Sequence, residues 1–366
     1  MTFPSAPSVP GSAPPRAATS ILRTSTRRRI LGGGGLALLV LLLVGASLAV
    51  GAREISLTVV WAALVDYVPG NVEHDVIIDQ RLPRTVVGLA VGAALGAAGV
   101  LMQGLTRNPL ADPGLLGVNA GAAFAVVLAI TFLGVNSPVA FLPFAFLGAA
   151  GAAVLVYLVS AGSRDGATPV TLALAGTAVT AGVTSLIMLL LLSNPQTVNA
   201  YRFWSVGSLA GRDGTTQSSM LGSLLPFLIA GFVLAAVSTR WLNLLALGTD
   251  VARGLGVRVG TSRALSVVAV VLLAGSATAL AGPIVFVGLV VPHAVRAATG
   301  PDHRWMFAYA LPAGGALLLV ADVLGRALVR PGELEAGLVV AAVGAPVMIA
   351  IVRRANLGGG RSGGVQ

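Results

Sequence analysis

The residue types that usually carry chemistry are sparse and scattered in this chain. Cysteine is absent, so there is no thiolate nucleophile, no thiolate metal ligand and no disulfide framework. The three histidines, His74, His293 and His303, are spread along the sequence. A metal site or a nucleophile–base pair needs such groups clustered with partners. His293 therefore reads as a packed, hydrogen-bonded residue, with His74 expected outside and His303 in a cytoplasmic loop, and neither a catalytic centre nor a bound metal or cofactor is expected. Lysine is absent as well, and all 23 basic residues are arginine. A phosphate-binding P-loop needs a lysine on the β/γ-phosphates. If nucleotide hydrolysis drives this protein, a separate subunit must perform it.

Other residues are spaced for contact instead of catalysis. Gly88, Gly92 and Gly96 recur every four positions, with Gly99 close by, which leaves one helical face nearly bare for another backbone. The plain reading is helix packing; the functional one is a central helix packed on all sides. Next comes MQGLTRNPLADPGLLGVNAG, which holds Gln103, Asn108, Pro109, Pro113, Gly114 and Gly117. Two prolines, an Asn-Pro step and several glycines make it a shaped break between helices. A polar stretch, LALGTDVARGLGV, contains Gly248, Asp250, Ala252, Arg253, Leu255 and Gly256, with Arg258 just beyond. It is too polar to enter lipid and too short to form a domain.

The elements that must position these groups follow from composition. The 366 residues are 56% hydrophobic and 10% charged, where a soluble domain carries about 25% charged residues. Lipid must solvate part of such a chain. Ten apolar segments are expected at about 30–52, 86–105, 115–133, 140–159, 170–192, 221–237, 264–281, 284–298, 306–324 and 338–352. The eighth is short for a span. Barrel strands would alternate polar and apolar residues, so the spans are predicted to be helical. The fold class is all-α, a polytopic membrane protein with about ten transmembrane helices. One domain, 30–354, is expected between a disordered basic tail at 1–29, rich in Pro, Ser, Ala and Thr, and a flexible C-terminus at 355–366.

With both termini in the cytoplasm, 16 arginines fall inside and 7 outside, and Glu54, Asp66, Glu73, Asp75 and Asp79 gather in the first external segment. The positive-inside rule therefore predicts an even number of spans with cytoplasmic ends in the cell membrane. The same rule accounts for the net charge of +10 without nucleic acid. Trp204 and Trp241 read as interfacial anchors. Phe203–Gly211 is expected to form a short external helix, with Ser193, Asn194 and Gln196 near a gate.

RLPR (81–84) followed by GAALGAAGVLMQGLTRNPLADPGLLGVNAG resembles the signature of the FecCD-type permease family. AGPIVFVGLVVPHAVRAATGPDHR (281–304), PGELEAGLVVAAVGAPVMIAIVRR (331–354) and the polar stretch at 245–257 match further segments of that family in order. The family comprises membrane subunits of bacterial importers for iron–siderophores, haem and cobalamin. The resemblance implies a type II ABC importer permease fold with ten helices per subunit. It also implies a second permease copy or paralogue in a dimer, an ATP-binding subunit below, and an extracytoplasmic solute-binding protein above. It carries over a role for Arg81, Arg84 and Arg326 in docking the binding protein, and for 248–258 as the loop that couples to the ATPase. There, small residues such as Ala252 and Gly256 would let the helix seat closely on its partner. Thr249 stands where the family often has glutamate, with the carboxylate one position on at Asp250. Asp322 lies one turn before Arg326, so an i,i+4 pair is the structural alternative to docking. A ferric siderophore is the expected cargo, with haem or cobalamin as alternatives. A gradient-driven secondary transporter is the competing class, but it usually needs ionisable groups at mid-membrane, and the predicted span interiors are almost uncharged.

Overall fold

In a computed structural model of the chain, residues 16–51, 53–164, 166–210, 214–329 and 332–359 are described. All regular structure among them is helical. The principal helices are α1 (Arg16–Ala49), α4 (Leu82–Thr106), α5 (Val118–Leu133), α6 (Pro138–Ala161), α7 (Pro169–Ser193), α9 (Gly214–Ala246), α11 (Val259–Ala281), α12 (Val287–Thr299), α13 (His303–Leu328) and α14 (Ala336–Gly359). Each of the ten expected apolar segments falls largely within one of them. Seven are long and apolar enough to cross a membrane, whereas α5, α12 and α14 offer shorter apolar stretches. Between them lie α2 (Leu57–Val65), α3 (Val72–Asp75), α8 (Pro195–Ser205) and α10 (Thr249–Gly254).

Several boundaries are written locally. Ser137-Pro138, Thr168-Pro169 and Asn194-Pro195 open α6, α7 and α8, each with an N-cap side chain accepting a backbone N–H and proline in the first turn. Two boundaries differ from expectation. α1 reaches back to Arg16, into the segment expected to be an unstructured tail, although its apolar part is Arg29–Ala49. Residues 1–15 and 360–366 of the expected termini lie outside the described residues. The 53–85 segment is also built: α2 and α3 are followed by a π-helical turn (Val76–Arg81) that runs directly into α4.

Successive principal helices alternate in direction. One end of the bundle gathers Arg29, Arg107, Arg263 and α10. The other gathers Ser47, Arg84, Asp322 and Glu333. Burial separates core from periphery: 78% of the apolar window around α4 is inside the molecule, against 6% for that of α1. α4 is therefore the central post. Its glycines explain how its neighbours come so close. A Cβ at Gly92 would overlap the Gly314 carbonyl of α13, one at Gly96 the Ala310 carbonyl, and one at Gly99 the Gly288 backbone at the start of α12. Gly88 instead meets the side chains of Leu209 and Leu319.

The short helices have a common cause. α5 has 16 residues and α12 has 13, or roughly 24 and 20 Å at 1.5 Å per residue, less than a ~30 Å hydrocarbon core. Each begins inside the bundle. Gly288 packs against Pro113, and Gly99 lies seven residues in from the end of α4. Asn119 at the start of α5 accepts a hydrogen bond from Thr278 near the end of α11, 3.0 Å away. After Thr106 the chain thus turns back into the bundle before α5 begins, and after α11 it does the same before α12. The two connections meet at Pro113 and Gly288. Irregular backbone at this depth is tolerated because protein surrounds it.

Candidate functional site

Three groups of residues carry the functional expectations, one at each end of the bundle and one at its centre. At the Arg84 end, burial decides the roles of the arginines. Arg81 Nη1 donates to the carbonyls of Leu48 and Ala49, both at 2.7 Å, and Nη2 to that of Arg53 at 2.5 Å. Arg326 Nη1 donates to the carbonyls of Ser47 and Val50 at 3.0 and 2.8 Å. The last carbonyls of a helix have no intrahelical partner and carry the negative end of its dipole. Arg81 and Arg326 together close the C-terminus of α1 at residues 47–50. Both are buried, at 7% and 2% exposure. Their donors are occupied by internal carbonyls and are withdrawn from the surface.

Arg84 and Arg326 share Asp322, itself 1% exposed. Arg84 Nε and Nη2 both donate to Asp322 Oδ1, at 3.1 and 2.7 Å. Asp322 Oδ2 faces Arg326 Nη2 at 2.9 Å without hydrogen-bond alignment, so that half of the bridge is electrostatic. The i,i+4 alternative weighed for Arg326 is thus what the structure contains. Arg84 also reaches the more exposed Glu333 at 2.8 Å. Of the three arginines only Arg84, through Glu333, touches the outer surface.

At the centre, Gln103 bridges two elements. Its Nε2 donates to the Leu289 carbonyl at 3.3 Å, and its Oε1 accepts from Arg296 at 3.2 Å. The turn chemistry read from the sequence is present in the connection after α4. Asn108 Oδ1 accepts from Leu110 N, Pro109 is exposed, Asp112 Oδ1 accepts from Gly114 N, and Pro113 opens a 3-10 turn. Gly117 sits at φ +72, a left-handed backbone that glycine adopts without strain.

At the arginine-rich end, α10 stands between α9 and α11. Ala252 is fully buried against its own bundle, while Leu247, Val251 and Leu255 are exposed. Asp250 and Arg253, also exposed, pair at 3.2 Å, and Arg258 is exposed. The two small residues expected in the seat differ in placement. Ala252 faces inward, and Gly256 is needed for its left-handed φ of +82, with open space where a side chain would go. The outward face is apolar and charged. Gly248 also has positive φ, at +118, and with Gly256 it sets the limits of α10.

The sequence reading missed several groups that hold this end. Arg107, itself left-handed at φ 51, donates to the Leu245 carbonyl and approaches Thr249 Oγ1 at 3.5 Å. It ties the connection after α4 to the base of α10. Asn243 donates to Asp302 Oδ1 at 2.7 Å and accepts the His303 backbone N–H at 2.9 Å. Burial pushes the Asp302 carboxyl up, but the Asn243 amide and the Arg304 backbone N–H hold it below the usual carboxylate range. Arg29 stacks over Trp305 at 5.3 Å and donates to the Thr299 carbonyl, and its own carbonyl accepts the Tyr309 hydroxyl. An Arg before an apolar run gave no signal for any of this, because the partners lie about 270 residues away.

Two smaller expectations shift. The short helix near the Arg84 end is Pro195–Ser205, earlier than expected, with Asn194 as its cap, and Ser193 and Gln196 beside it. Trp204 is buried at 6%, its indole N–H without a partner, and is a core residue instead of an interfacial anchor. Among the described residues no cluster of His, Asp and Glu could hold a metal.

The chain is similar to known proteins in sequence and in overall fold. The FecCD transport family model matches residues 38–354. The ferric enterobactin transport system permease protein FepD of Escherichia coli (strain K12) is 45% identical over 86% of this chain and 92% of its own length. The hemin transport system permease protein HmuU of Yersinia pestis is 35% identical over 84% and 91%. A metal-chelate type ABC transporter solved in an inward-facing conformation superposes with a TM-score of 0.76 at 30% identity, covering 88% of this chain and 98% of its own. With its all-helical permease fold and apolar helices, this multi-pass membrane protein belongs to the FecCD transport family.

Proposed function

We propose that the chain is the permease subunit of an ABC importer that carries a ferric siderophore across the cell membrane, with ATP hydrolysed by a separate subunit. α10 carries this reading. Six residues long, it displays Val251, Leu255, Asp250 and Arg253 on a face that its own bundle leaves uncovered. An apolar centre flanked by charges suits a protein partner. The base of α10 is joined through Arg107 to the connection that reaches the bundle centre, so a push on α10 has a physical route inward. A lever of this kind needs nucleotide to favour one position of α10 over another. In this reading the ten helices are ten spans, both termini are cytoplasmic, and a second copy or paralogue completes the pathway. A solute-binding protein docks at the Arg84 end, where Glu333 and Arg84 remain for it to contact.

A siderophore cargo is supported by relatives that include FepD and a probable siderophore permease of Bacillus subtilis (strain 168), 41% identical over 85% of this chain. Haem is the second reading, since HmuU is also a relative. The chain should be reconstituted in proteoliposomes with its ATPase and binding protein, and uptake of ferric enterobactin, hemin and cobalamin compared. ATP-dependent uptake of the ferric chelate is expected. Uptake that survives without ATP and collapses with the ion gradient would replace the importer by a secondary transporter.

A further inference from the structure

We propose that the groove between α6 and α11 is a phospholipid site, holding one acyl chain along the bundle and the anionic headgroup on arginines at its mouth. The groove has a volume of about 300 Å³ and is lined by Phe146, Ala150, Tyr157 and Leu158 of α6 and Val268 and Leu272 of α11. From Phe146 to Leu158 it follows α6 for twelve residues, or about 18 Å. This is roughly half of a ~30 Å hydrocarbon core, the depth of a single leaflet. It occupies the half of α6 nearer the arginine-rich end.

The mouth supplies the complementary charge. Arg263 directly precedes the lining residue Ala264, and its Nη1 donates to the Ala167 carbonyl at 3.2 Å. It lies within electrostatic reach of Tyr157, which lines the groove, and of two further cations, Arg107 and Arg253. In the sequence between α6 and α7 (162–168), and from the end of α9 into the first turns of α11 (247–263), Arg164, Arg253, Arg258 and Arg263 stand against only Asp165 and Asp250. Even with both carboxylates paired, positive charge is left over. Arginine binds phosphate oxygens through a planar fork, and anionic headgroups favour such basic clusters beside the membrane. A second copy of this chain fits less well, because in the same membrane orientation it would bring its own arginine-rich end to this mouth and repel.

The test uses the full chain in detergent, offered phosphatidylglycerol or phosphatidylcholine with identical acyl chains, with native mass spectrometry counting retained lipid. One phosphatidylglycerol per chain is expected, retained about tenfold more strongly than phosphatidylcholine, a difference of roughly 1.4 kcal/mol. Ala150→Phe fills the groove and should lower retention of both lipids. Arg263→Gln leaves the groove open and should remove only the preference for phosphatidylglycerol. The second variant keeps the test valid if the first folds poorly. Equal retention of the two lipids by the unaltered chain overturns the proposal. So does a dimer that dissociates in Ala150→Phe while lipid retention stays unchanged, which would assign the groove to a second copy.

Discussion

Asp322 shows how one buried residue organises an end of the molecule. It lies between Arg84 and Arg326 with almost no access to solvent. Removing one partner of a buried ion pair strands the other charges, at a cost of about 3–5 kcal/mol. Asp322→Ala should therefore lower the thermal midpoint of the detergent-solubilised protein sharply, followed by fluorescence-detected size exclusion. Arg253→Ala removes an exposed pair and should change stability by less than about 1 kcal/mol. Equal small shifts for both would mean that the cluster contributes little. Docking at this end makes a separate prediction. Glu333→Arg should weaken association with the solute-binding protein without lowering the midpoint, whereas Arg326→Glu should destabilise the fold itself, because its guanidinium closes α1. The sequence marked all three arginines. It could not rank them, because RLPR reads the same whether its first arginine faces water or the Leu48 and Ala49 carbonyls that end α1.

Packing at the element scale makes glycine positions unequal. Gly92 and Gly99 of α4 face the backbones of α13 and α12, and any side chain there would displace a helix. Gly182 of α7 and Gly222 of α9 have nothing within 4 Å of an added Cβ. Gly92→Leu should abolish folded, monodisperse protein, while Gly182→Ala should raise stability by up to about 1 kcal/mol, the helical preference for alanine. α10 gives the matching functional prediction. Val251→Asp and Leu255→Asp should leave the midpoint unchanged yet block co-purification with the ATP-binding subunit. Ala252→Trp should instead lower the midpoint, because that side chain already fills the bundle side. Normal assembly and transport by both aspartate variants would remove α10 as the coupling element. The four-residue glycine spacing made a bare face legible in α4. Which helices lie on it was not legible, since α13 arrives more than 200 residues later.

At the scale of the whole molecule, the alternating helices leave Arg29 and the end of α14 on the same side as α10. Single cysteines at Ser56 and Thr261 of this cysteine-free chain should report opposite sides: an impermeant thiol reagent on intact cells should label the first and miss the second. Labelling of Thr261→Cys alone would invert the orientation. The sequence by itself determined that the chain is helical and lives in lipid, because composition and the length of apolar runs answer directly to the solvent. It determined about where α6 and α7 begin, because their apolar runs open just after the caps Ser137 and Thr168, each followed by a proline. It also determined the family, through long motifs in fixed order. Only the tertiary structure decided that α5 and α12 begin inside the bundle, that Arg81 and Arg326 close α1, and that Ala252 faces inward while Val251 faces out. These features depend on contacts between residues far apart in the chain. Local spacing fixes which side chains share a helical face, but the partner of that face is set only when the helices pack.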